Sequence, residues 1–200
     1  PHLAHLTTKD SVRLLDESGD NVPGLTGETC PQYLLLSESS YEDQDGYLYS
    51  ATPPLRKPED RAALWRGLET GIINSVATDH CPFKVSQKED FKNDFLNIPQ
   101  GVPGIETLGS LLFTEGVDGG SLSIERVVSL ISENPARIFG LYPQKGSLIV
   151  GTEADLVVID PKKEKELNPN DLHMNTDFNP YTGKMTRWWP RYVFLRGEPI

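Results

Sequence analysis

Apolar residues along this chain follow two different periods. Leu64, Trp65 and Leu68 recur at helical spacing, behind Pro58, Glu59 and Asp60 and ahead of Gly71. They predict a helix over 58–70, with Pro and acidic residues at its start and Gly at its stop. Ile124, Val127, Val128 and Ile131 keep i, i+3, i+4, i+7 spacing and predict another. Thr7 and Thr8 stand where caps would for a helix over 9–17, the run 108–113 predicts an apolar helix, and Pro135 opens a short one that Gly140 ends. Between these lie short, continuous apolar runs, at 3–6, at 33–36 and from Gly71 to Asp79. Such runs read as strands, and the one from Gly71, bounded by Pro82, as a strand buried on both faces. Strand, helix, strand, helix, strand is an α/β pattern with a parallel sheet.

After Pro143 the pattern changes. Residues 146–151, 154–160 and 192–195 are β-type runs, and 168–191 is polar and irregular. The expected boundary falls near residue 145, giving an α/β part over 1–145 and a small β part with a tail over 146–200. The stretches 37–49 and 84–101 are polar and read as surface loops.

Composition narrows the function classes. The 200 residues are 37% hydrophobic and 24% charged, as in ordinary globular chains. A net charge of −10 argues against a nucleic-acid surface, which needs clustered Lys and Arg. No run has the length of a membrane helix, and no signal-like start is present. Cys30 and Cys81 match no CxxC pattern, so a reducing, cytoplasmic setting is expected and both read as small buried residues. Both ends of the chain are apolar, and the expectation is a piece of a longer protein.

Candidate chemistry sits at strand ends. The run from Gly71 stops at Asp79, where an α/β enzyme would place a reactive carboxylate and where a simple turn would also use Asp. His5 ends the first short strand, either as a packed histidine or as a metal ligand. His plus Asp is part of a zinc shell at most, and further ligands must come from elsewhere. His80 reads as a support for such a shell or as a loop histidine. Trp188 and Trp189 fit a subunit contact or a cover for the β part. His2 and His173 belong to no constellation.

A series of stretches in fixed order carries a family resemblance. They are Ala4-His5-Leu6-Thr7, Gly27-Glu28-Thr29-Cys30-Pro31-Gln32-Tyr33-Leu34 and Thr52-Pro53-Pro54-Leu55-Arg56. Thr78-Asp79-His80-Cys81-Pro82-Phe83, Gln87-Lys88, Asp94-Phe95 and Ile98-Pro99-Gln100-Gly101-Val102-Pro103-Gly104-Ile105-Glu106 follow. Asn134-Pro135-Ala136, Gly140-Leu141-Tyr142-Pro143, Lys145-Gly146 and Ala154-Asp155-Leu156-Val157 close the series. Together they resemble the C-terminal part of the dihydropyrimidinase and hydantoinase group of cyclic amidohydrolases.

The resemblance implies an α/β fold: the last three strands of a (β/α)₈ TIM-like barrel, ending near His5, in the Tyr33 region and at Asp79, plus part of a small β-sandwich. It implies two zinc ions bridged by a carbamylated lysine that lies upstream of Pro1. By position, His5 matches a ligand of the more exposed metal. Asp79 matches a ligand of the buried metal and the proton shuttle. The family carries Ser and Asn where this chain has Thr52 and Gln100, positions whose main-chain groups bind substrate. The implied activity is hydrolytic opening of a dihydropyrimidine or hydantoin ring to an N-carbamoyl amino acid, by a homotetramer in the cytoplasm, with a cyclic ureide or amide as the small-molecule partner. The 200 residues alone are expected to be inactive. Two alternatives stand beside it. One is a non-catalytic scaffold like the collapsin response mediator proteins, which lack the metal ligands. The other is an allantoinase- or dihydroorotase-type hydrolase.

Overall fold

The computed structural model describes residues 1–19 and 21–200. Two compact units interleave along the chain. The first comprises Pro1–Leu108 and Glu166–Lys184; the second comprises Gly109–Lys165 and Met185–Ile200.

The first unit is built on a parallel sheet of three short strands, β1 (His2–Leu3), β2 (Thr26–Thr29) and β3 (Ser75–Val76), in the order β1-β2-β3. His2 lies opposite Thr26, and Thr29 opposite Val76. The ladder runs past the strands, as Leu6 N donates to Glu28 O at 2.7 Å and Ala77 N to Thr29 O at 3.1 Å. Helices connect the strands, α1 (Lys9–Gly19) between β1 and β2 and α3 (Pro58–Thr70) between β2 and β3.

Local sequence explains both helices. Thr8 starts α1, its Oγ1 accepting Ser11 N at 3.1 Å. Pro58 occupies the first turn of α3, and Gly71 ends it at φ 89°, a left-handed conformation that glycine adopts without strain. The two helices meet closely at Gly67, where an added Cβ would stand 3.1 Å from Val12 and 3.0 Å from Ile73. Leu64, Leu68 and Ile73 are wholly buried there. Trp65 is half-buried and donates its indole N–H to Leu34 O at 2.9 Å.

Two expectations for this unit change. The second strand is Thr26–Thr29, not the run around Tyr33, which lies in the short helix α2 (Pro31–Leu35). Pro31 at the first helical turn has no N–H to give a ladder, and it turns the chain into helix. The polar stretch 84–101 is not all loop either. It contains α4 (Val85–Glu89), which begins at Lys84, whose N–H donates to Gln87 Oε1 at 2.8 Å. Residues 166–184 belong to this unit and fasten to its loops. His173 N donates to Glu106 Oε2 at 2.5 Å, Thr176 Oγ1 to Phe83 O at 2.7 Å, and Val85 N to Asp177 Oδ1 at 2.7 Å.

The second unit holds α5 (Leu108–Leu112), which begins one residue earlier in the chain and continues as a π-helical stretch over Phe113–Asp118. A long helical run follows, formed by α6 (Ile124–Val128), a π-helical turn and α7 (Asn134–Ile138), with Val127 and Leu130 wholly buried. An antiparallel sheet combines β4 (Leu156–Asp160), β7 (Trp189–Leu195) and β8 (Glu198–Pro199) in the order β4-β7-β8, with the short strands β5 (Lys165–Glu166) and β6 (Met185–Thr186) between β4 and β7 in the chain. Phe113 stacks on Trp188 with centroids 5.2 Å apart, and Trp188 Nε1 donates to Asp118 at 3.1 Å. The expected strand over 146–151 is absent. Leu148 and Val150 are 85% and 101% exposed, and no strand among the described residues pairs with them. Among the described residues no helix is long and apolar enough to cross a membrane.

Candidate metal and substrate site

The parallel sheet places the two candidate ligands at its C-terminal end, one after each edge strand. His5 follows β1 and Asp79 follows β3, so both stand beyond the C-terminal ends of strands that flank β2. Both depart from ordinary backbone geometry, at φ 41° for His5 and φ 48° for Asp79. Left-handed conformations at non-glycine residues cost free energy and cluster where a side chain must be aimed. Both residues are exposed, and neither side chain makes a hydrogen bond or ion pair among the described residues.

The negative charge of Asp79 reaches three neighbours. Cys30 is pushed well above the usual thiol range by burial, with Asp79 and Glu28 adding to the effect. Tyr33 is raised by burial, then by Cys30 and Asp79. Cys81 is raised by burial and Asp79, against the opposing pull of Lys88. Burial and the Asp79 charge thus favour the neutral thiol at Cys30 and Cys81 and the neutral phenol at Tyr33.

Two lone-pair donors with no internal partner fit part of a metal's donor set. They do not complete one, since no group of three His, Cys, Asp or Glu side chains able to hold a metal occurs among the described residues.

His80 points its Nδ1 toward the next loop. Nδ1 accepts Gly104 N at 3.1 Å and Ile105 N at 3.4 Å, and burial lowers its pKa. An acceptor Nδ1 assigns the proton of the neutral ring to Nε2. His80 also forms a parallel bridge with Val102, and Cys81 N donates to Val102 O at 3.1 Å. The 101–104 segment thus lies alongside the end of β3 as a short extension of the sheet. Gly101 makes this possible. Its φ is 122°, and a Cβ there would stand 2.3 Å from Cys81 Sγ.

The two candidate substrate positions are neighbours in space through a single carbonyl. Gly101 N, directly after Gln100, donates to the oxygen of Ser50, two residues before Thr52, at 2.9 Å. Thr52 is exposed and precedes a cis peptide bond to Pro53. The Tyr33 hydroxyl donates to Pro53 O at 2.8 Å, and Leu55 N donates to the Tyr41 hydroxyl at 2.8 Å. Gln100 donates Nε2 to Ile98 O at 3.1 Å, leaving Oε1 buried without a hydrogen-bond partner.

Lys88, Tyr33 and Tyr41 are the residues that sequence reasoning missed. Lys88 sits in a polar stretch that reads as solvated, and its one signal is the Gln87-Lys88 pair. The two tyrosines act through terminal hydroxyls on distant backbone, which no local spacing records.

The amidohydrolase family profile covers residues 2–199. The chain is 43% identical, over all 200 residues, to the D-phenylhydantoinase of Escherichia coli O1:K1 / APEC, and spans 43% of that relative's length. Among solved structures it superposes on a dihydropyrimidinase from Brevibacillus agri NCHU1002 with TM-score 0.96 and 39% identity, covering all of this chain and 44% of that one. An L-hydantoinase (dihydropyrimidinase) from Arthrobacter aurescens matches with TM-score 0.93 and 31% identity, again over all of this chain and 44% of the other. The α/β architecture is accordingly that of a portion of a TIM-barrel hydantoinase fold, and the described residues close no barrel of their own. With a family profile over nearly every residue and solved relatives superposing along its whole length, the chain belongs to the amidohydrolase family.

Proposed function

We propose that the whole protein carrying these residues hydrolyses a cyclic ureide or amide, opening a hydantoin or dihydropyrimidine ring to an N-carbamoyl amino acid. One observation carries this reading beyond the likeness to hydantoinases. His5 and Asp79 stand with free donor atoms beyond two parallel strands of one sheet, in left-handed backbone conformations. The proposal includes two zinc ions and a bridging carbamylated lysine supplied outside these 200 residues, a homotetramer and a cytoplasmic setting. It also assigns residues 1–145 to the barrel and 146–200 to the sandwich and tail.

The roles follow from the chemistry of an amide. Its carbon is a poor electrophile, and water at neutral pH is a poor nucleophile. His5 and Asp79 would hold a divalent metal, which when bound supplies a more acidic water and a polarised carbonyl. Asp79 takes the proton from the attacking water as the new C–O bond forms. It returns that proton to the ring nitrogen as the C–N bond breaks, so the nitrogen leaves neutral. Backbone groups at Thr52 and Gln100 orient the ring, and His80 holds the loop that carries Gln100.

The deciding experiment is purification of the whole protein without chelators, zinc analysis, and assay on hydantoin, dihydrouracil and allantoin. About two zinc ions per chain with ring opening of hydantoin or dihydrouracil is expected. Turnover confined to allantoin would move the reading to an allantoinase. A folded, zinc-free protein inert on all three would make it a scaffold.

A further inference from the structure

Lys88 lies on α4 with 0% of its surface exposed, a state lysine almost never adopts without a paired charge. Among the described residues no carboxylate pairs with it. Its Nζ donates to the carbonyl oxygens of Leu48 and Ser50, at 2.9 Å each, and lies 5.9 Å from the centroid of the Phe178 ring. Burial pulls its pKa down to about 8. Keeping an ammonium group out of water disfavours the folded state, so packing alone does not explain this lysine.

What Lys88 holds is specific. The Ser50 oxygen accepts two donors, Lys88 Nζ and Gly101 N, each at 2.9 Å. Cys81 Sγ fills the space beside Gly101 that any larger residue would need. Three separate stretches therefore meet at one point: the turn Gly46–Tyr49 with Ser50 after it, α4, and the loop through Gly101. Two residues beyond Ser50 is Thr52; one residue before Gly101 is Gln100. With no exposed surface and its N–H groups directed to carbonyls, Lys88 is placed to fix backbone and not to attack a ligand.

We propose that Lys88 is a positioning residue for substrate: by holding the Ser50 carbonyl between itself and Gly101, it sets the spacing of the Thr52 and Gln100 backbone groups that orient the ring. This rests on the ring-opening reading above. Lys88 touches neither the ring nor the reacting atoms, so its removal is felt in ring binding more than in bond breaking.

The test compares wild type with Lys88→Met and Lys88→Gln in the whole protein. It uses steady-state kinetics on hydantoin and site-resolved hydrogen exchange. Loss of a charge-assisted hydrogen bond should raise KM about tenfold or more in Lys88→Met, with kcat held within about threefold. Lys88→Gln, which keeps N–H donors, should fall between the two. Exchange should quicken at residues 48–52 and 99–104 above the rest of the chain. An unchanged KM beside a lowered melting temperature, or exchange that quickens uniformly, would overturn the proposal by making Lys88 structural only. Wild-type protein inert on every cyclic ureide would instead sink the ring-opening reading, and the exchange pattern alone would then decide whether Lys88 holds the two loops. If Lys88→Met does not accumulate folded, Lys88→Gln is judged by the same criteria.

Discussion

The Nδ1 atom of His80 accepts the backbone N–H of Gly104 at 3.1 Å. With the weaker bond from Ile105 N and the bridge to Val102, this bond ties the residue after the candidate base to the loop that carries a candidate substrate position. His80→Ala should free the Gly104 and Ile105 amides and cost about 1 kcal/mol of stability. His80→Asn, whose Oδ1 can take the place of Nδ1, should recover part of it. Hydrogen exchange at those two amides is the check; protection unchanged in His80→Ala would mean another group holds the loop.

Asp79→Asn tests the proposed base. The amide keeps the size of the side chain but cannot accept the water proton. In the whole protein, kcat for ring opening should fall by about a thousandfold, within the usual range for a general base. Turnover within a few-fold of wild type would remove Asp79 from that role.

Much of this was legible beforehand. The α3 helix reads directly from Pro58, the spacing of Leu64 and Leu68, and Gly71, because each local preference agrees with the packing. The strand-end positions of His5 and Asp79 also follow from short apolar runs that stop abruptly. Tyr33 reads as strand because its apolar neighbours suit strand and helix alike, and the decisive signal is Pro31 before them. Residues 146–151 look like a strand, but pairing depends on a distant partner that local spacing does not reveal. Lys88 was illegible for a similar reason, since what buries it comes from residues 48–50 and 178.

Lys88 gives stability a defined pH dependence. Its folded pKa is about 8 against 10.5 for a free lysine. Between those values the unfolded chain binds more protons, so stability rises with pH across that window and the gain is lost as pH falls through about 8. The neutral amine still has two N–H groups for its two carbonyls. Subtracting Lys88→Met from wild type in urea unfolding largely cancels groups that do not feel Lys88, and making both proteins in a Cys81→Ala background removes the thiol that does. The difference should climb by about 3 kcal/mol from below pH 8 to above 10.5. A flat difference would show that the buried ammonium carries no such cost.

Gly101→Ala should be harmful twice over. The new methyl meets Cys81 Sγ at 2.3 Å, and the φ of 122° strains any L residue. Together these should lower stability by about 2 kcal/mol. Adding Cys81→Gly should restore only the steric share. Full recovery in calorimetry would mean that backbone strain contributes nothing.

The chain leaves the first unit at Leu108, returns at Glu166 and leaves again after Lys184. The returning stretch supplies the bonds from His173, Thr176 and Asp177 to the loops at Glu106, Phe83 and Val85. Gene order and physical modules therefore do not coincide. A recombination crossover at residue 145 would keep His5, Thr52, Asp79, His80, Lys88 and Gln100 yet import a foreign brace for their loops. In directed shuffling of relatives, the two halves of this sequence should not behave as exchangeable cassettes; the 83–106 loops and residues 173–177 must be inherited as a set.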